Sequence, residues 1–194
     1  WMHVGFVQVN EEKMSKSLGN FFTIRDVLKH YQSEVLRYFI IASHYRSPLN
    51  YSDEALNNAK ASLERFYATL SGLTLEGATE PAEGAAIEAR FAAAMNDDFN
   101  TPEALAVLFE VAREVNRLVK AEKPEEAACF GALLKRLGGV LGLLQQHPET
   151  FRRGGVSDAG FVKEVESVIA AIGEARKNKD FATSDRLRDR LKEQ

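Results

Sequence analysis

Apolar residues recur every three or four positions along most of the chain, and this spacing predicts a protein built mainly from helices. Leu56, Ala59, Leu63, Phe66 and Leu70 form one stripe behind Ser52, a residue type that caps helix starts. Ile87, Phe91 and Met95 form a shorter one. Thr101-Pro102-Glu103 opens a second long helix that carries Leu105, Leu108, Phe109, Ala112, Val115 and Leu118. Pro124 opens a third with Ala127, Phe130, Leu134 and Leu137, whose end Gly138, Gly139 and Gly142 are expected to loosen. Three or four such faces make a bundle core. Earlier in the chain, Thr23 with Asp26, and Ser33 before Glu34, signal two short helices on either side of Tyr31-Gln32. Beyond a connector from His147-Pro148 to Gly155, Phe161, Val165, Val168, Ile169 and Ile172 mark one helix, and another starts near Asp180. The one strand expected is Met2 to Val9, rich in β-formers and ending at Asn10. The predicted fold class is mainly α: a helical bundle with a short β segment at the N-terminus.

That strand feeds Lys13-Met14-Ser15-Lys16-Ser17-Leu18-Gly19-Asn20, which puts two ammonium groups and two hydroxyls on one short segment. Lysine heads are compact charges on flexible stems, serine hydroxyls donate to oxygen, and Gly19 permits backbone closed to other residues. Such a loop can close over a triphosphate. A given five-residue string arises by chance at roughly one position in a million, so the signal is far sharper than a lone glycine pattern.

On these residues the chain resembles the class I aminoacyl-tRNA synthetases, whose second motif is this loop. Phe21-Phe22-Thr23-Ile24-Arg25-Asp26-Val27-Leu28, Leu36-Arg37-Tyr38-Phe39 and His44-Tyr45-Arg46-Ser47-Pro48-Leu49-Asn50-Tyr51-Ser52 resemble the cysteinyl family within that class. So do Asp97-Asp98-Phe99-Asn100-Thr101-Pro102 and the stretch from Arg176 to Leu191. The resemblance implies ATP, with Mg, as a substrate, and Lys16 supported by Lys13 as the catalytic cations. ATP is then held by Lys13, Met14, Ser15, Lys16 and Ser17, with Met14 as packing. It further implies cysteine and its tRNA as partners. The first β segment becomes a remnant of the class I nucleotide-binding fold. The implied organisation is residues 1–22 as the end of the catalytic domain, 23–50 as a stem-contact segment, 51–150 as a DALR-like bundle, and 151–194 as the start of an anticodon-binding domain. Arg25, Arg37 and Arg46 fall where the family contacts the inside corner of tRNA, and solubility explains an exposed arginine equally well.

The family's His-Ile-Gly-His motif has no match, and the chain opens on Trp1 and stops at Gln194. The expectation is the C-terminal part of a larger synthetase, inactive alone, with a truncated anticodon domain. The zinc implied in the parent enzyme has no ligand set here. Cys129 is the one cysteine and reads as a buried free thiol, while His3, His30, His44 and His147 are scattered without metal or triad spacing.

With 45% hydrophobic and 27% charged residues the composition is that of an ordinary globular protein. No apolar run approaches the roughly 20 residues of a membrane span. A single cysteine fits a reducing, cytoplasmic setting, and without a heptad seam a monomer is expected. The net charge of −3 does not advertise nucleic-acid binding, so any RNA contact needs a local basic surface. The last segment supplies one, since Arg176, Lys177, Lys179, Arg186, Arg188, Arg190 and Lys192 outnumber Asp180, Asp185, Asp189 and Glu193. By resemblance, Arg176 and Asp185 read bases, Phe181 stacks and Arg188 attracts phosphate. The alternative is a helix with solvated charges and Phe181 in a core. Two other functions stay open: a related ligase that joins cysteine to an amino sugar in thiol biosynthesis, and a non-catalytic helical RNA-binding module.

Overall fold

In the computed structural model, which describes residues 1–154, 159–177 and 180–192, the strand expected over Met2 to Val9 is only Val7–Val9 (β1). Of the sequence reading, Gly155, Asn178, Lys179 and Glu193 lie outside the described residues, as do the side chains of Phe161, Arg190, Leu191 and Lys192. Asn10 and Glu11 both take left-handed backbone, φ 50° and 68°, and this two-residue turn folds β1 back onto antiparallel β2 (Glu12–Lys13). The Asn50 side chain steadies the turn by accepting from the Glu11 N–H at 2.9 Å. A third strand, β3 (Leu49–Tyr51), lies parallel to β1 with Val7 opposite Leu49 and Val9 opposite Tyr51. The expectation of a single strand is therefore corrected to three among the described residues. Met2 to Gly5 lies outside the ladders of this sheet, Phe6 reaches it only through its carbonyl, and β3 is too short, with polar Asn50 at its centre, to show a periodic signal.

Between β1 and β3 run α1 (Ile24–Val27) and α2 (Ser33–Ile41). Thr23 and Asp26 form a reciprocal capping box at the start of α1. Ser33 is the first helical residue of α2, and Gln32 occupies the cap position. The bundle follows: α3 (Asp53–Leu70), α4 (Gly84–Asn96), α5 (Thr101–Lys120) and α6 (Pro124–Val140). Ser52 accepts from the Ala55 N–H at 3.1 Å, and Asn100, rather than Thr101, caps α5 by accepting from Glu103. The predicted stripes face inward. Leu56, Leu63, Phe66, Leu108, Val115, Leu118 and Leu134 are buried in one core, and Phe66 stacks on Phe109 with ring centroids 4.4 Å apart.

Two loop readings are corrected by packing. Gly138 and Gly139 lie inside α6, which runs on to Val140, and a Cβ on Gly138 would lie 2.9 Å from Leu144 Cδ1. The glycine makes room for Leu144, which is itself fully buried in left-handed backbone at φ 61°. The connector after His147 is a short helix, α7 (Pro148–Arg152), that lays buried Phe151 flat on Tyr67 at 4.1 Å. An aromatic residue in so short a segment gives no periodicity to read.

Tyr67 belongs to a buried polar lock. Glu34, 6% exposed, accepts from Tyr67 Oη at 2.8 Å, from the Leu144 N–H at 2.6 Å and from Gln146 Nε2 at 3.1 Å. Burial and this carboxylate push the Tyr67 phenol well above its ordinary range. The lock ties α2 to α3 and to the segment after α6.

The chain divides into two compact units, Trp1–Gly154 and Gly155–Gln194. The second contains α8 (Ala159–Lys177) and α9 (Phe181–Lys192), which pack on each other. Among the described residues, no helix is long and apolar enough to cross a membrane.

Candidate functional site

The lysine loop is a pinned turn. Met14 continues the hairpin by donating its N–H to the Val7 carbonyl at 3.2 Å, and Lys16–Leu18 form one 3₁₀ turn. Ser15 caps that turn. Its Oγ accepts from the Ser17 N–H at 3.3 Å and lies 2.7 Å from Ser17 Oγ. Gly19, at φ 68°, closes the turn by donating to the Lys16 carbonyl at 3.2 Å, a backbone shape that strains any residue with a Cβ. Asn20 then fastens the two ends together, accepting from the Ser15 N–H at 2.8 Å and donating to the Lys13 carbonyl at 3.3 Å.

Both ammonium groups rest on aromatic faces. Lys13 Nζ lies 4.6 Å from the Phe6 centroid, and Lys16 Nζ lies 5.4 Å from that of Phe21. Contacts of this kind at exposed sites are worth about 0.5–1 kcal/mol, less than charge-assisted hydrogen bonds to phosphate, so a polyphosphate can draw both heads away. Met14 and Ser15 are half-buried, and Lys13, Lys16 and Ser17 are exposed. Asn20 and Phe21 stand within the motif strings of the sequence and Phe6 within its expected strand, but none of the three has a role there. Their roles depend on where the turn brings them, although Asn20 directly after Gly19 is a local signal for a side chain that bonds nearby backbone.

An open cleft of about 860 Å³ borders the end of the loop, with Gly19, Asn20, Tyr31 and Lys60 in its wall beside the paired rings of Phe22 and Tyr51. Elsewhere, Asp98 gathers the segment after α2. Its carboxylate accepts from Arg46 Nε at 2.5 Å, Arg46 Nη2 at 3.1 Å and Tyr45 Oη at 2.6 Å, with His44 Nε2 at 3.9 Å. Arg46 is thus engaged within the protein. Arg37 packs over Gly142, where an added Cβ would meet its Nη1 at 2.5 Å, and Arg25 is exposed.

The Arg46 and Tyr45 hydrogen bonds hold the Asp98 carboxyl down at about 2. A depressed folded-state value means that the clamp's contribution is complete above the ordinary carboxylate range near pH 4 and is lost as pH falls from about 4 to about 2. A carboxyl-carbon NMR titration of Asp98 is expected to show a midpoint near 2, and a midpoint near 4 would mean that the clamp does not persist in solution.

In the second unit Arg176 sits exposed in the last turn of α8, where the helix dipole favours a cation. Asp180 caps α9 by accepting from the Thr183 N–H at 3.0 Å, and hydrogen bonding from Thr183 holds its carboxyl below the usual range. Phe181 is 65% exposed rather than set in a core. Phe181, Asp185 and Arg188 follow the i, i+4, i+7 spacing of one helix face, and Asp185 Oδ1 lies 3.7 Å from Arg188 Nη1. Cys129, expected to be buried, is half-buried with Thr79 Oγ1 at 3.5 Å from its sulfur. No group of three His, Cys, Asp or Glu among the described residues could hold a metal, so the implied zinc finds no fitting donor set here.

Residues 1–61 match the family model of the class I tRNA synthetase (C) catalytic domain, and residues 90–145 match the DALR domain. The cysteine–tRNA ligase of Alkalilimnicola ehrlichii is 56% identical over 100% of this chain and 42% of its own length. That of Aliivibrio fischeri is 58% identical over 98% of the chain and 41% of its own length. The chain therefore spans about two fifths of these curated relatives. Among solved structures, the LeuRS of Agrobacterium radiobacter K84, in a ternary complex with tRNA and LeuAMS, aligns with a TM-score of 0.54 at 22% identity. That alignment covers 70% of this chain and 20% of the other, and it shows the fold alone. Taken with the lysine loop, identity sustained from end to end means that this chain belongs to the cysteine–tRNA ligase family of class I aminoacyl-tRNA synthetases.

Proposed function

We propose that this chain supplies the ATP-phosphate loop and the tRNA-binding helices of a cysteine–tRNA ligase. In that reaction the cysteine carboxylate attacks the α-phosphate of ATP, the bond to pyrophosphate breaks, and a 3′-terminal hydroxyl of the tRNA then takes the acyl group from the resulting adenylate as the acyl–phosphate bond breaks and AMP leaves. Negative charge gathers on phosphate oxygens as the bond to pyrophosphate breaks, and ammonium groups already in place stabilise it. The observation that carries this reading is the pinned loop from Lys13 to Ser17, with both lysine heads exposed and, among the described residues, held only by aromatic faces. Lys16 is the main charge stabiliser and Lys13 supports it. Ser15 and Ser17, joined to each other, keep the turn in shape.

Within residues 151–194, the second unit acts as the anticodon reader. The exposed face of Phe181, Asp185 and Arg188 supports RNA over an amino-sugar acceptor, since single-stranded bases stack on aromatics and phosphates attract arginine. The test is equilibrium binding of this chain to cysteine tRNA and to an anticodon-swapped version at two salt concentrations, beside cysteine-dependent pyrophosphate exchange by the intact protein. Salt-sensitive binding that weakens on the swap, together with exchange, is the expected result. Exchange without tRNA binding would favour the amino-sugar ligase, and tRNA binding without exchange would favour the non-catalytic module. Within the binding assay, Arg188→Ala is expected to weaken both tRNAs alike and reduce the salt slope by about one, whereas Asp185→Ala relaxes the preference between them. Equal losses on both tRNAs for Asp185→Ala would remove its base-reading role.

A further inference from the structure

The loop does not hang from the sheet alone. Asp98 sits in the turn between α4 and α5, where it and Phe99 both take left-handed backbone at φ 54° and 52°, an uncommon choice for residues other than glycine. Its carboxylate fastens Arg46 and Tyr45, as described above. The Tyr45 carbonyl in turn accepts from the Gly5 N–H at 2.7 Å. Gly5 lies so close to this segment that a Cβ would sit 2.1 Å from the Ser47 carbonyl oxygen. The residue after Gly5 is Phe6, whose ring supports the Lys13 ammonium and whose carbonyl accepts from the Leu49 N–H at 2.9 Å. From the same α4–α5 turn, Thr101 Oγ1 donates to the Ile41 carbonyl at 2.7 Å, which ties the end of α2 to the bundle.

We infer that Asp98 is a positioning residue for adenylate formation: through Arg46, Tyr45, Gly5 and Phe6 it sets the place of Lys13 from the turn between α4 and α5. The inference rests on the phosphate-loop reading for its effect on rate, and on geometry alone for its effect on the loop. Asp98 touches no reacting atom. The clamp is solvent-exposed and joins the turn to the segment after α2 without entering the buried core, so the bundle itself should tolerate its loss. A small displacement of a charged group from its working position is nonetheless costly to rate, on the order of tenfold to a hundredfold.

Two measurements test it. Hydrogen exchange on this chain carrying Asp98→Asn is expected to quicken over residues 13–20 while the amides of α5 and α6 stay unchanged. Unaltered loop exchange would overturn the clamp whatever the kinetics showed, and quickening throughout the bundle would make Asp98 a stability residue instead. In the intact enzyme, Asp98→Asn is expected to lower the kcat of pyrophosphate exchange about tenfold with the cysteine KM unchanged. A cycle with Lys13→Met then isolates the route: if Asp98 acts through Lys13, the double variant is no slower than Lys13→Met alone. Losses that multiply would overturn that route. A Lys13→Met enzyme as fast as the parent would remove the role given to Lys13, and the clamp's effect on rate with it, while the exchange experiment would still report on the loop.

Discussion

Replacing Lys16 with alanine is expected to lower cysteine-dependent pyrophosphate exchange by the intact enzyme roughly 10²- to 10³-fold, with little change in stability. Lys16 begins the 3₁₀ turn, its head is exposed, and it rests on the Phe21 ring at 5.4 Å. Nothing in the core depends on that side chain. The charge that gathers on the leaving pyrophosphate does, since a positioned cation acts where the charge develops and needs no reorganisation at that moment. Lys16→Arg is expected to recover only part of the rate, because a planar guanidinium does not replace a compact ammonium on a flexible stem. Exchange within a few-fold of the parent for Lys16→Ala would sink the assignment. The cysteine KM should stay near its original value, which separates loss of charge stabilisation from a general collapse of the site.

Glu34→Ala is expected to destabilise the first unit by about 2–5 kcal/mol, a large share of the roughly 5–15 kcal/mol that holds a typical domain folded. The carboxylate is 6% exposed, and its removal strands two buried donors, the Leu144 N–H and the Tyr67 phenol, which lie 2.6 Å and 2.8 Å from it. The phenol can turn, but the amide cannot. The Leu144 backbone is already left-handed, so the segment has no inexpensive way to relax. Glu34→Gln should cost less, about 1–2 kcal/mol, since its amide oxygen can still accept from Leu144 while Tyr67 rotates to accept from the new NH₂. Urea denaturation of this chain measures both, and an alanine variant whose midpoint matches the parent would show that water satisfies the stranded groups. With the lock loosened, α2 loses its tie to α3 and to the segment after α6, so tRNA binding by the variant should also weaken.

The helical bundle was legible because each of its helices buries a continuous face. Leu56 to Leu70 and Leu105 to Leu118 repeat at helical spacing because one side of each helix meets the core, and burial at 0–6% exposure along those stripes, with only Phe109 left partly buried, is the structural counterpart of that period. The caps at Thr23 and Ser52 were legible for a different reason: a capping bond spans only three residues, so sequence neighbours suffice to specify it. The lysine loop was legible because its chemistry sits in consecutive residues.

What the sequence determined by itself is therefore local: the helices, their starts and the string from Lys13 to Ser17 that carries the chemistry. Only the tertiary structure decided the rest. β3 is a strand because β1 offers it a parallel partner, Gly138 is a glycine because Leu144 lies against it, and Phe151 is core because Tyr67 receives it. Glu34 stands in the sequence only beside a helix start and Asp98 only within the stretch from Asp97 to Pro102, yet one is a buried lock while the other gathers three side chains across the chain. Each of these depends on a partner distant in sequence, and no periodicity or neighbouring residue encodes which distant group a fold will bring alongside.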